Sequence, residues 1–236
     1  MEENQKSMQE QIKRRLQEET VHFLTNWKIV WKGIEILPKE IELYYYEKYG
    51  EFKDDSVHKN DLQKNNKNHF YVHRWGTKQI DPYKGGNRAG IDLVVSDDEN
   101  IYHSYLIRSA VINGKIIVGP NNVLKKIIEV CGFSNEHLEN NYKELECVPV
   151  TLKSNVISAD VLFSKRINLS TGYVDYELRA VLCDEQFRNA KYPGKEKMIV
   201  DFLSEKVHNH NMTNDEAIEY AKDKLNYIPS KIKSLC

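Results

Sequence analysis

Polar residues fill the first part of the chain, but Ile12, Leu16, Val21, Phe23 and Leu24 lay an apolar stripe among them, which predicts a helix over 9–26. The pattern then changes. "KIVWKGIEILPKEIELYYYEKY" is β-branched and aromatic and is broken by Gly33 and Pro38, so strands are expected near 27–32 and 40–49 with a turn or irregular link between them. Residues 50–68 are polar and loop-like. "HFYVHRW" is strand-like, and "KGGNRAG" supplies turn glycines ahead of "IDLVVS". "DDEN" turns tightly into "IYHSYLIRSAVI", and the two runs read as a hairpin whose turn Asp97, Asp98 and Asn100 favour.

"VGPNNVLKKIIEVCGF" begins a helix after Pro120, with Val123, Leu124, Ile127, Ile128 and Cys131 on its apolar side and Gly132 near its end. A strand-rich block runs from about 156 to 183. The tail is helical. Lys195–Lys206 forms one segment, and "TNDEAIEYAKDKL" opens with a capping box, Thr213 followed by Glu216. This order predicts an α+β fold, a single domain of mainly antiparallel strands with peripheral helices. It divides into an N-terminal helix at 1–26, a core at 27–190 and a helical C-terminal extension at 191–236.

Composition narrows the class. With 236 residues, 40% hydrophobic and 29% charged, the chain is globular in kind and long enough to bury a core. A net charge of −1 advertises neither a nucleic-acid nor a membrane partner. No apolar run reaches about 18 residues, and "MEENQKSMQEQIKRRLQEE" is too polar for a secretory signal. Cys131, Cys147, Cys183 and Cys236 share no metal-like spacing, so reduced thiols in a cytoplasmic protein are expected. The charge is uneven, however. From Lys59 to Arg88, seven basic residues face Asp61 and Asp81, and His69, Phe70, Tyr71, His73, Trp75 and Tyr83 lie among them. Cations interleaved with aromatics suit phosphate neutralisation and base stacking; a solvated lysine-rich loop is the plain alternative.

In "YYYEKYGEFKDDSVH", Glu47-Lys48-Tyr49 is followed by Asp54 and Asp55, and His58 lies eleven residues after Glu47. Next come "FYVHRWG", "GIDLVVSDDENIYHSYLIRSA" with Leu-Ile-Arg-x-Ala at Leu106–Ala110, "VGPNNVL", "SKRINLS" and "YELRAVL". This order resembles the alkyladenine (3-methyladenine) DNA glycosylase family. That family has a strand ending in Glu-x-Tyr, a histidine eleven residues after the glutamate, an aromatic hairpin, an arginine strand, a Gly-Pro helix start and a Pro-Arg-Val-Gly segment. The resemblance covers roughly 27–188.

The resemblance implies hydrolysis of the N-glycosidic bond of an alkylated or deaminated purine flipped out of double-stranded DNA, by a monomer without cofactor or metal. Glu47 would be the general base for a water, Arg108 would hold that water and keep the carboxylate ionised, and the Ile167 carbonyl would complete the water site. Tyr49, His58 and His73 would line the base pocket. Trp75 would fill the gap left in the duplex, with Arg74, Lys78, Lys84 and Arg88 along the DNA. Asp92 stands where the family has a purine-discriminating asparagine. An ionised carboxylate accepts hydrogen bonds but cannot donate, so base preference would differ. Lys165 and Asn168 replace the family's proline and glycine. His69, His73 and His103 lack metal-ligand spacing, and the His208–His210 "HNH" reads as a solvated loop. Asp92 and the neutral overall charge also suit hydrolysis of a free N-riboside, or a non-catalytic module that kept the fold.

Overall fold

The computed structural model describes residues 2–73, 89–133, 138–167, 169, 173 and 175–234. Helix α1 (Glu2–Asn26) begins earlier than the apolar stripe suggests. It buries Leu16, Thr20, Phe23 and Leu24, one helical face by their spacing, and Thr20 donates its hydroxyl back to the Leu16 carbonyl. β1 (Trp27–Trp31) and β2 (Ile34–Glu47) form a hairpin through Lys32 and Gly33, both at positive φ, the geometry that lets a two-residue turn follow the strand twist. β2 therefore starts at Ile34 rather than near 40.

β3 (Phe70–His73), β4 (Gly90–Val94), β5 (Ile101–Ile112) and β6 (Lys115–Val118) follow. Helices α2 (Pro120–Val130) and α3 (Leu138–Cys147) lead to β7 (Thr151–Ser154), β8 (Asp160–Ser164) and β9 (Arg179–Cys183). The chain closes with α4 (Lys195–His208), α5 (Asn214–Leu225) and α6 (Ser230–Lys233). The nine described strands form one sheet, every pairing antiparallel, in the order β3-β4-β5-β2-β1-β7, with β6 on β5 and β8 on β9. The domain is α+β, as the order of elements predicts.

β2 is the spine. β5 runs along one edge from Ile36 to Glu47. On the other edge β1 pairs as far as Ile36 and β9 takes over at Glu40. A bulge falls between Pro38 and Ile41, and Pro38 sits there because its missing N–H is tolerated at such a break. The bulge leaves Arg108 of β5 without a paired position, since Glu40 faces Ser109 and Ile41 faces Ile107.

Beyond the bulge, successive residues alternate between faces. Ile41, Leu43 and Tyr45 join Tyr105, Ile107, Leu178, Ala180 and Leu182 in a core also built from Leu16, Phe23 and Leu24 of α1, Val123, Leu124, Ile127 and Ile128 of α2 and Tyr142 and Leu145 of α3. The opposite face carries Glu40, Glu42, Tyr44 and Tyr46. At its β8–β9 side, Leu162, Val181 and Cys183 are covered by Met198, Ile199 and Leu203 of α4, Ala217 and Ala221 of α5 and Ile232 of α6. The C-terminal extension therefore covers the sheet face that carries Glu42. The capping box at α5 is formed, with Thr213 and Glu216 each bonding the other's backbone N–H. No described helix is long and apolar enough to cross a membrane.

Candidate functional site

On the face that α4–α6 partly cover, β2 and β5 build a buried ionic layer. The bulge aims Arg108 across Glu40 and Glu42 of β2: its Nε donates to Glu40 Oε1 at 3.1 Å, and its Nη1 lies 3.1 Å from Glu42 Oε1. Arg179, opposite Glu42 on β9, donates its Nε to Glu40 Oε1 at 2.7 Å. The Ile167 backbone N–H donates to Glu42 Oε1 at 2.8 Å, and the Tyr44 hydroxyl donates to Glu42 Oε2 at 3.2 Å. Glu42 is 1% exposed. Burial opposes the charge on Arg108, but Glu42 and then Glu40 outweigh it and hold the guanidinium above its ordinary pKa.

Arg166 ties a second part of the chain to this layer. Its Nη1 donates to the Leu43 carbonyl at 2.9 Å and to Asp54 Oδ2 at 2.6 Å, an ion pair with both side chains wholly buried. The guanidinium lies over the Tyr44 ring, 4.9 Å from its centre. Asp54 in turn accepts the Ser56 N–H, which shapes the loop leading to His58. Burial holds the Tyr44 hydroxyl protonated far above its ordinary range; Glu42 and Asp92 add to this and Arg166 opposes it.

Further along the same face, His58 Nδ1 and the Tyr71 hydroxyl meet at 2.9 Å, and Tyr71 faces Asp92 across β3–β4. The Ser104 hydroxyl donates to Asp92 Oδ2 at 2.9 Å, and Gln63 Nε2 donates to that hydroxyl at 3.3 Å. Tyr44, Leu106 and Val57 pack between the two polar groups, with Tyr46 and Tyr102 at the rim. Lys59 sits over Tyr46 and Lys64 over Tyr102. A cavity of about 270 Å³ abuts Ile167 and Arg179, walled by Pro193, Gly194 and Met198. The larger cleft, about 770 Å³, lies by Asp160, Cys183 and Tyr220 and contains none of the catalytic or binding residues expected from sequence.

The structure therefore brings Arg108, Ile167, His58 and Asp92 to one face, and Glu47 to the other. Glu47 pairs with Ile101 in register, roughly 23 Å along β5 from Arg108 at the usual rise per residue. Its carboxylate accepts from the Tyr45 hydroxyl at 2.7 Å and the Phe52 N–H at 3.2 Å, beside Arg15 of α1. Tyr49 is 78% exposed, with Lys48 over its ring. The expected meeting of Glu47 and Arg108 is thus corrected: Arg108 meets Glu42, and Glu47, five positions further along a strand of period two, faces the other way. At Ile167 the observed bond comes from the N–H rather than the carbonyl. Tyr44, expected to be ordinary strand, faces the site.

His73 ends β3 opposite Gly90, and its side chain lies outside the described residues. Arg74, Trp75, Lys78, Lys84 and Arg88 also lie outside them. His103 faces the α1 core between Tyr45 and Tyr105. His208 and His210 are exposed. Sequence reasoning missed Glu42, Tyr44 and Arg166. One signal was present: Glu42-Leu43-Tyr44 is itself a Glu-x-Tyr, five residues before the one chosen. No family model matches the chain, and no curated protein does.

Proposed function

We propose that the chain is a monofunctional N-glycosylase that hydrolyses the bond between a damaged purine and its sugar after the base leaves the DNA stack, with Glu42 as the general base. One observation carries this reading: Arg108 and Ile167, the two groups expected to surround the base, converge on the carboxylate of a Glu-x-Tyr, Glu42-Leu43-Tyr44. Hydrolysis of this bond needs a carboxylate kept ionised, so that it can take the proton of an attacking water. Arg108 Nη1 and the Ile167 N–H both lie against Glu42 Oε1, at 3.1 Å and 2.8 Å. Tyr44, Tyr71 and His58 supply aromatic surface on the same face, the kind that receives an extruded base. Lys59 and Lys64, in the locally basic segment, lie at the rim over Tyr46 and Tyr102 and suit a phosphate backbone.

The experiment is base release from duplexes carrying hypoxanthine or an alkylated purine, read by cleavage at the abasic site. Release by wild type and its loss in Glu42→Gln is the expected result; no release by wild type ends the proposal. A second reading, a nucleobase-binding module without turnover, is favoured by the 1% exposure of Glu42 and its three hydrogen-bonding neighbours. Under it, bases bind equally well to wild type and Glu42→Gln, and neither protein releases any.

A further inference from the structure

Arg166 is fully buried, yet only one end of its guanidinium is used. Nη1 serves Leu43 and Asp54, while Nε and Nη2 have no hydrogen-bonding partner among the described residues. A buried N–H without an acceptor is costly, and most arginines that leave water have their donors satisfied. Here the two idle donors lie on one edge, the Nε–Nη2 fork, whose parallel N–H bonds match two adjacent in-plane acceptors. The fork belongs to the guanidinium lying over Tyr44, next in chain to the residue that bonds Glu42. Arg166 therefore borders the buried layer that holds Glu42.

Two kinds of ligand offer paired acceptors: an anion such as phosphate or carboxylate, and the O6–N7 edge of a 6-oxopurine, which arginine reads in DNA. The surroundings decide between them. Asp54 already neutralises Arg166, and Glu42 and Asp92 both act on Tyr44 beneath it. A further full anion would be repelled by these carboxylates; a neutral edge with two acceptors would not. A 6-amino purine puts a donor against Nε or Nη2. An N7-alkylated purine loses one acceptor, and while still joined to its sugar at N9 it also brings a positive charge towards a guanidinium.

We propose that Arg166 is the specificity-determining residue of the site, accepting purines with a 6-oxo group and an unsubstituted N7 and refusing 6-amino and N7-alkylated purines. This rests on the base-hydrolysis reading for its biological setting, but the recognition step can be tested without it. Because the fork has no contact with solvent, a base reaches it by displacing the side chains that cover it.

The test is binding of free hypoxanthine, xanthine, adenine and 7-methylhypoxanthine to the full chain, followed by saturation-transfer NMR and calorimetry. Hypoxanthine and xanthine should bind, with adenine and 7-methylhypoxanthine weaker by about ten- to a hundredfold, the usual worth of one bidentate pair. Arg166→Lys, which keeps the charge beside Asp54, should lose that discrimination while hypoxanthine affinity falls towards that of adenine. No binding of any base by wild type, or equal binding of all four, overturns the proposal and needs no variant. If the ranking holds but no base is released from DNA, base selection by Arg166 stands and the hydrolysis reading fails. If DNA substrates are cleaved but N7-methylated purines leave as readily as hypoxanthine, hydrolysis stands and selection by Arg166 fails.

Discussion

Arg108 Nη1 lies 3.1 Å from Glu42 Oε1, across a bulge that gives the arginine no paired position on β2. Glu42 and Glu47 are separated by five residues, so they point to opposite faces of the sheet, and one arginine cannot serve both. The two carboxylates can therefore be told apart by rate. Glu42→Gln is expected to lower base release by about 10²–10⁴, the usual share of a general base, while Glu47→Gln stays near wild type. Gly50→Ala sharpens the contrast. A Cβ at Gly50 would lie 1.9 Å from Glu47 Oε2, so this substitution displaces the Glu47 carboxylate and should leave the rate near wild type. Loss of activity in Gly50→Ala with Glu42→Gln fully active would return the role to Glu47.

Removing Arg108 tests the ionic layer as structure. Arg179 still neutralises Glu40 in Arg108→Met, but among the described residues Glu42 keeps the Ile167 N–H and the Tyr44 hydroxyl as its hydrogen-bonding partners. Breaking a buried pair from one side typically costs about 3–5 kcal/mol, because a charge stays behind without its partner. Urea unfolding of Arg108→Met should show a loss of that order. A loss no larger than that of a surface substitution would mean that Glu42 is far better hydrated than its burial implies.

Asp54 and Arg166 form a wholly buried pair. Asp54→Asn leaves the Arg166 charge over Tyr44 with the Leu43 carbonyl as its remaining hydrogen-bonding partner, and a similar loss of about 3–5 kcal/mol is expected. Arg166→Met in the same chain should recover part of it, since removing both charges is far cheaper than removing one. A double-mutant cycle by urea unfolding measures the recovery. Purely additive losses would show that the two side chains act independently.

What could be read before the structure was mostly local. The Pro120 start of α2, the Thr213–Glu216 box and the turn before β5 depend on a few neighbouring residues, and all are formed. The β2–β5 pairing sets Glu47 opposite Ile101, seven residues along β5 from Arg108, and no short stretch of sequence carries that register. Equal counts along the chain do not place residues on equal faces once a residue is left unpaired. The Glu-x-Tyr pattern occurs twice within eight residues, and only cross-strand pairing tells the copies apart. β6 was missed although Asn113-Gly114, both at positive φ, is a strong two-residue hairpin signal. Arg166 was legible as part of a motif but not as a partner, because Asp54 lies more than a hundred residues away in sequence.

His103 gives the chain a titratable weakness at acid pH. It is buried edge-on between Tyr45 and Tyr105, and its Nε2 has no hydrogen-bonding partner among the described residues. Burial, with the Arg15 charge adding to it, pushes its pKa down to about 3. In the unfolded chain a histidine titrates near 6.5. Above that pH both states are neutral and His103 makes no pH-dependent contribution. Below it the unfolded state binds a proton that the native state refuses, so stability falls with falling pH until the native imidazole titrates near 3. The slope for one proton is about 1.4 kcal/mol per pH unit. In His103→Phe this slope disappears, and any overpacking cost appears as a constant offset. Urea unfolding of both proteins at about pH 7.5, 5.5 and 4.5 should therefore show a stability difference that shifts in favour of the variant as the pH drops. A difference independent of pH would mean that His103 takes up its proton in the folded chain, and that the space between the two tyrosines is open to water.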